Sequence, residues 1–177
     1  LADRARDAGA EAPALRALFP YREADGPKFV SRADFEAYAA FLERLGPETL
    51  EGFDRLLADD VHFRDPFNEV TGAERVKRIF RAMVDDLDDL SVEVDSIALA
   101  PTEGHHEVGF LHWRMRGRLV RMANKRFDVT GVSRVEIGED GRVCSHVDYW
   151  DVAAGLYEML PVLGPVLRWL KRRLGEH

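Results

Sequence analysis

Leu56-Leu57-Ala58-Asp59-Asp60-Val61-His62-Phe63-Arg64-Asp65-Pro66-Phe67 is the stretch on which the reading of this chain turns. It begins on the apolar end of a helical pattern and changes period to two. Along a strand side chains alternate, so Val61, Phe63 and Asp65 share one face, and two apolar residues direct a carboxylate toward the interior. Burying a charge costs several kcal/mol unless it is paired, so an inward carboxylate either meets a partner or holds a raised pKa in a pocket. The second outcome is how proton-transferring acids are made. The alternative is that Pro66 ends the strand and Asp65 caps the turn.

Working outward, Ser31 with Asp34 three residues on starts a helix in which Phe35, Tyr38, Phe41, Leu42 and Leu45 recur at helical spacing, stopped by Gly46-Pro47. A second helix carries Leu50, Phe53, Leu56 and Leu57 on one face. Residues 73–84 predict a third helix burying Val76, Ile79, Phe80 and Met83, and the acidic run 85–89 predicts a solvated turn. From Leu90 the period is two. Strands are expected over 90–100, 107–116, 127–137 and 142–152, the last two joined by a turn at Asp140-Gly141. Gly109, Leu111, Trp113 and Met115 form the better inward face of one strand, and Gly131, Ser133, Val135 and Ile137 share a face of the next. Helices first and an antiparallel sheet afterwards imply an α+β domain.

Composition narrows the function. The chain has 177 residues, 46% of them hydrophobic and 32% charged, the balance of an ordinary globular protein. A net charge of −7 excludes nucleic acid as an expected partner, since that calls for a basic patch. One cysteine, Cys144, forms no internal disulfide, and no clustered ligands point to a metal, which together suit a reducing cytoplasm. No apolar run reaches the roughly 18 residues of a membrane span. Residues 1–30, rich in Ala, Arg, Asp and Pro, read as an arm outside the main fold, and the start at Leu1 is expected to belong to a longer chain.

The quoted stretch, followed by Gly72 and a helix, resembles the opening of the nuclear transport factor 2-like superfamily, especially ketosteroid isomerases and SnoaL-like polyketide cyclases. Gly141-Arg142-Val143 and His146-Val147-Asp148-Tyr149-Trp150-Asp151 resemble the last hairpin and strand of SnoaL-like proteins. The resemblance implies a cone-shaped, strongly curved antiparallel sheet over 31–152, closed by the N-terminal helices around a deep pocket. It turns His146, Asp148 and Trp150 inward together, so Asp148 is expected to face Asp65 with His146 in reach. Two titratable groups in one low-dielectric cavity push each other's pKa values apart, which yields an acid and a base. A structural His-Asp pair in a polar part of the core is the competing reading.

Carried over residue by residue, Asp65 matches the general base of the isomerases. Phe41 stands where they carry an oxyanion-hole tyrosine, with Tyr38 one turn earlier on the same helix face, and Ser133 stands where they carry a protonated aspartate. With both donors altered, SnoaL-like acid/base chemistry through Asp148 fits better than steroid isomerisation. The resemblance therefore implies an enzyme without cofactor or metal that isomerises, cyclises or hydrates a small apolar carbonyl compound, or alternatively a non-catalytic protein that binds an apolar molecule or lipid. Phe67, Ile79, Phe80, Leu111, Trp113, Val135 and Trp150 are expected to line the pocket with Tyr38, Phe41 and Ser133, and a homodimer is expected.

Beyond 152 the chain is an extension with leucines at spacings of three and four, Pro161 and Pro165 interrupting, and Lys171-Arg172-Arg173 near its end. Short amphipathic helices packed on the domain or on a second subunit are expected, with a foot on an anionic membrane surface as the other reading.

Overall fold

The computed structural model describes residues 31–100 and 106–175; the expected arm at 1–30 lies outside them, as does His105, which the sequence predicts to be a surface residue beside Gly104 in a hairpin turn. Helix α1 (Arg32–Glu43) starts as the sequence predicts, the Asp34 carboxylate accepting a hydrogen bond from the Ser31 backbone N–H at 2.6 Å. A 3-10 turn (Leu50–Gly52) and a single helical turn α2 (Phe53–Leu56) replace the expected second helix, because Leu57 already belongs to strand β1 (Leu57–Arg64). Strand β2 (Glu69–Thr71) and helix α3 (Ala73–Asp86) follow, then β3 (Leu87–Leu99), β4 (His106–Leu119), β5 (Lys125–Gly138) and β6 (Val143–Trp150). The last strand stops at Trp150 because Asp151 caps a short helix α4 (Val152–Gly155), its Oδ1 accepting from the Ala154 N–H at 3.0 Å.

The six strands make one curved, unclosed sheet in the order β2-β1-β6-β5-β4-β3. Every pair is antiparallel except β1 with β6, so the sheet is mixed where an antiparallel one was expected. The chain returns to the side of β1 only after a helix and three reversals, a connection long enough for parallel pairing. The acidic run 85–89 is no turn. Leu87 is buried, which draws the chain straight from α3 into β3; Asp86 and Asp89 remain in water beside Arg121 and Arg118, and Asp89 takes a left-handed φ of 54° that aspartate tolerates.

Two buried clusters divide the interior. Phe35, Tyr38, Phe53, Phe63, Val76, Phe80, Leu111 and Val135 belong to the larger, which fills the end covered by α1 and α3. Leu87, Trp113, Phe127 and Val129 form the smaller, flanked by half-buried Met83, Met115 and Trp150. Glycines let the rings lie flat on the sheet. A Cβ at Gly109 would stand 2.5 Å from the Phe35 ring, and one at Gly131 would stand 2.5 Å from the Trp113 ring.

The extension departs most from expectation. A 3-10 turn (Tyr157–Met159) leads to helix α5 (Leu163–Leu174), which meets the rest of the chain through its polar side: Gly164 is buried on the Glu158 carbonyl, Arg168 donates to that carbonyl at 3.0 Å, and Lys171 pairs with the Glu158 carboxylate at 2.5 Å. Leu163, Val166, Trp169, Leu170 and Leu174 are exposed, Leu174 by 76%. The apolar face of α5 is therefore not packed on its own domain.

Candidate active site

The register of β5 and β6 pairs Ser133 with Asp148, Val135 with His146 and Gly131 with Trp150, and β1 sets Phe63 beside His146. Alternation then puts His146, Asp148 and Trp150 on the concave side. A hydrogen-bonded chain runs beneath this surface. Trp113 Nε1 donates to Ser133 Oγ at 2.8 Å, Ser133 Oγ donates to Asp148 Oδ1 at 2.5 Å, His146 Nε2 lies 2.8 Å from the same Oδ1, and Tyr38 Oη lies 2.7 Å from His146 Nδ1.

Counting hydrogens assigns the directions. Ser133 has one hydrogen and gives it to Asp148, so His146 donates from Nε2 to Asp148; in the neutral imidazole Nδ1 then accepts from the Tyr38 hydroxyl. Tyr38 and His146 are 1% and 2% exposed, so these bonds are shielded from bulk solvent. Burial first, and the nearby charge of Asp148 second, hold the Tyr38 phenol far above its ordinary pKa of 10.0 and keep it a donor. Asp148 Oδ1 takes both bonds; Oδ2 takes none of them.

Asp148 borders a cavity of about 700 Å³ between α3 and the sheet. Asp65, Phe67, Ile79, Phe80, Trp113 and Trp150, all expected, border it too. The two aspartates thus open on one cavity, but they are held differently. The Asp65 carboxylate is turned back on its own chain: Oδ1 accepts from the N–H groups of Phe67 (2.7 Å) and Asn68 (2.6 Å), and the Asn68 side-chain amide reaches both oxygens. This is the turn-capping arrangement that Pro66 foreshadowed.

Other expected liners lie elsewhere. Tyr38 and Ser133 sit behind Asp148 as its support, Phe41 packs edge-on against Phe53 at 4.7 Å, and Leu111 and Val135 are sealed in the larger cluster, because α1 covers that end of the sheet. A small void of about 30 Å³ reaches His146, Ser133 and Asp148 from the α1 side. Sequence reasoning missed Asn68, Arg75, Arg78, Met115, Phe127 and Val129, which border the cavity. Nothing in the sequence marks the two arginines, whose spacing is that of a solvated helix face. Among the described residues no cluster of three or more His, Cys, Asp or Glu could hold a metal.

The model of the SnoaL-like domain family matches residues 22–146, well over half of the chain. The chain belongs to the SnoaL-like family. The match ends just before Asp148, so that residue's role rests on the geometry above. No curated protein matches. Similar solved structures include TsrD from Streptomyces laurentii (22% identity, TM-score 0.60, covering 76% of this chain and 100% of that one) and an LEH-like epoxide hydrolase from M. tuberculosis (21%, 0.55, 78% and 91%). Another is SalBIII, an epoxide hydrolase/cyclase-like enzyme with a role in pyran ring formation in the polyether salinomycin (12%, 0.57, 69% and 93%). At these identities the likeness is one of fold.

Proposed function

We propose that this SnoaL-like protein is a cofactor-independent acid/base enzyme acting on a small apolar carbonyl compound, with Asp148 as the proton-transferring group. The observation that carries this reading is the asymmetry of Asp148, which borders the cavity with Oδ1 anchored by His146 and Ser133 and Oδ2 outside both of those bonds. An ionised carboxylate so held takes a proton from a carbon beside a carbonyl without first reorganising, and returns it at another position, as isomerisation or ring closure requires. His146 and Tyr38 are positioning residues that fix the carboxylate's orientation. Asp65 shapes the mouth of the cavity, its lone pairs committed to the turn. The names of SalBIII and the M. tuberculosis protein, a cyclase-like enzyme and an epoxide hydrolase, support addition or cyclisation chemistry in this fold.

Ring-opening of 5-nitrobenzisoxazole, a C–H abstraction that a carboxylate in an apolar pocket accelerates, is the test. Asp148→Asn should lower the rate about 100-fold or more while Asp65→Asn changes it little. Equal rates in wild type and Asp148→Asn would leave the protein a binder of apolar molecules, the other reading of the same cavity.

The outward apolar face of α5 supports a second assignment, docking on an anionic membrane surface. The helix carries Arg168, Lys171, Arg172 and Arg173 and no acidic residue, while the whole chain is at −7. Glu158 holds Arg168 and Lys171, which leaves Arg172 and Arg173 to contribute on the order of 1 kcal/mol each near an anionic bilayer, and the exposed Trp169 and leucines add apolar burial. The full chain should float with phosphatidylglycerol vesicles and not with phosphatidylcholine ones. If it floats with neither, and removal of residues 163–177 halves its mass in solution, α5 is instead a contact between two copies.

A further inference from the structure

The cavity face of α3 carries Arg75, Arg78, Ile79, Ala82, Met83 and Asp86, one stripe at helical spacing. Both arginines are exposed while bordering the cavity, which puts them at its solvent side. Neither has a hydrogen-bond or ion-pair partner among the described residues. The other cations of the same helix do: Lys77 meets Asp54 at 2.7 Å and Glu51 at 2.8 Å, and Arg81 meets Glu51 at 3.0 Å.

Of the carboxylates that share the cavity, two are taken and the third is held through one oxygen on the sheet side, away from α3. Asp65 is bound into its turn by Phe67 and Asn68, Asp86 pairs with Arg121 at 2.7 Å, and Asp148 Oδ1 is held by His146 and Ser133. The walls between these groups are apolar, with Phe63, Ile79, Met115, Phe127, Val129 and Trp150 among them. An apolar chamber whose rim presents two uncompensated guanidiniums, in a chain of net charge −7, selects for a ligand of the complementary form. Residues three apart on a helix are neighbours, about 5–6 Å between Cβ atoms, so both guanidiniums can close on a single oxyanion.

We propose that the ligand of this cavity is an anionic amphiphile, its apolar body in the chamber against Trp113 and Trp150 and its oxyanion clamped by Arg75 and Arg78. The assignment rests on the reading of this cavity as the substrate site and specifies which end of the substrate points out. An oxyanion held at the α3 rim directs the buried part of the molecule toward Asp148 on the opposite wall. Carboxylate and phosphate share the required chemistry.

Calorimetric titration of the full chain with dodecanoate, dodecyl phosphate, dodecanol and dodecyltrimethylammonium tests this, all below the concentrations at which they self-associate. One of the two anions should bind about 10- to 100-fold more tightly than dodecanol, the worth of a charge-assisted hydrogen bond, and the cation more weakly still. The tighter anion identifies the headgroup. In Arg75→Gln/Arg78→Gln the anion's advantage should disappear with dodecanol binding unchanged, and in wild type it should shrink as salt is raised. Both positions are exposed, so an unaltered melting temperature accompanies these changes. Equal binding of anion and alcohol, equal loss of both in the double variant, tightest binding of the ammonium compound or binding of none would each overturn the proposal. None of these measurements reads turnover, so the proton-transfer test on Asp148 stands or fails separately.

Discussion

Tyr38→Phe removes one oxygen atom and nothing else from the interior. The hydroxyl lies 2.7 Å from His146 Nδ1, and both residues are almost fully buried. Without it Nδ1 keeps its lone pair in a site shielded from bulk solvent. Moving the proton to Nδ1 offers no relief, because Nε2 would then present a lone pair to Asp148 Oδ1 at 2.8 Å. The expected loss is that of a buried unsatisfied acceptor, about 1–3 kcal/mol. His146→Leu should cost more, since it strands the Tyr38 hydroxyl and takes a donor from Asp148. In that background Tyr38→Phe should cost almost nothing, because the hydroxyl it deletes no longer has a partner. A double-mutant cycle by urea denaturation should therefore return a coupling of about 1–2 kcal/mol with unchanged m-values. The pH dependence supplies an independent check. Burial and the charge of Asp148 raise the folded-state pKa of Tyr38 above its ordinary 10.0, so above pH 10 the unfolded chain releases a proton that the folded chain keeps. That favours unfolding, and the stability due to Tyr38 falls by up to about 1.4 kcal/mol per pH unit. The penalty of Tyr38→Phe should shrink accordingly above pH 10. Identical penalties in the two backgrounds would refute the hydrogen-bonded chain, and a penalty that does not change with alkaline pH would refute the burial of the Tyr38 hydroxyl beside Asp148.

Two further outcomes follow from local geometry. Gly131→Ala would bring its Cβ within 2.5 Å of the Trp113 ring and 2.8 Å of the Tyr149 carbonyl, so the indole must shift off Ser133; a loss of about 1–3 kcal/mol, read by urea denaturation and a changed Trp fluorescence maximum, is expected, and an unaltered spectrum would contradict it. Burial first, and the neighbouring charge of Glu136 next, push the Cys144 thiol up to about 11, so iodoacetamide should modify it slowly at pH 8 and faster as pH climbs toward 11; a rate already saturated at pH 8 would count against that environment.

Much of this architecture was legible because burial imposes its period on the sequence. Gly109, Leu111 and Trp113, like Ser133, Val135 and Ile137, alternate with outward residues, and they do line the concave side. The last strand was harder. Both of its faces carry an aromatic, and only the resemblance pointed His146, Asp148 and Trp150 inward. At Asp65 the pattern held two meanings at once: Val61 and Phe63 do set its direction, yet Pro66 and Asn68 decide what its oxygens bind. Arg75 and Arg78 were invisible for a different reason. A charged pair on a helix looks solvated, and only the curvature of a sheet elsewhere in the chain makes that side of α3 the wall of a cavity. For α5 the leucine spacing left three coverings open, the domain, a second subunit or a membrane, and the structure removes only the first, because Glu158 anchors the opposite side of the helix and gives no sign of doing so in the sequence.

The parallel pairing of β1 with β6 governs when the site can come into being. Tyr38 and His146 are 108 positions apart, and β1, paired early with β2, finds its second neighbour β6 only after β3, β4 and β5 have been laid down. Hairpins among the later strands close short loops, whereas the β1–β6 seam closes a loop spanning most of the domain, an expensive and slow step in chain entropy. During synthesis α1, β1 and α3 precede β6, and their apolar faces stay uncovered until that strand brings Asp148. The hydrogen-bonded chain of Tyr38, His146 and Asp148 is thus assembled in a single late event, and a chain stopped before residue 143 would hold the β1–β2 hairpin and the strands β3, β4 and β5 without the strand that joins them.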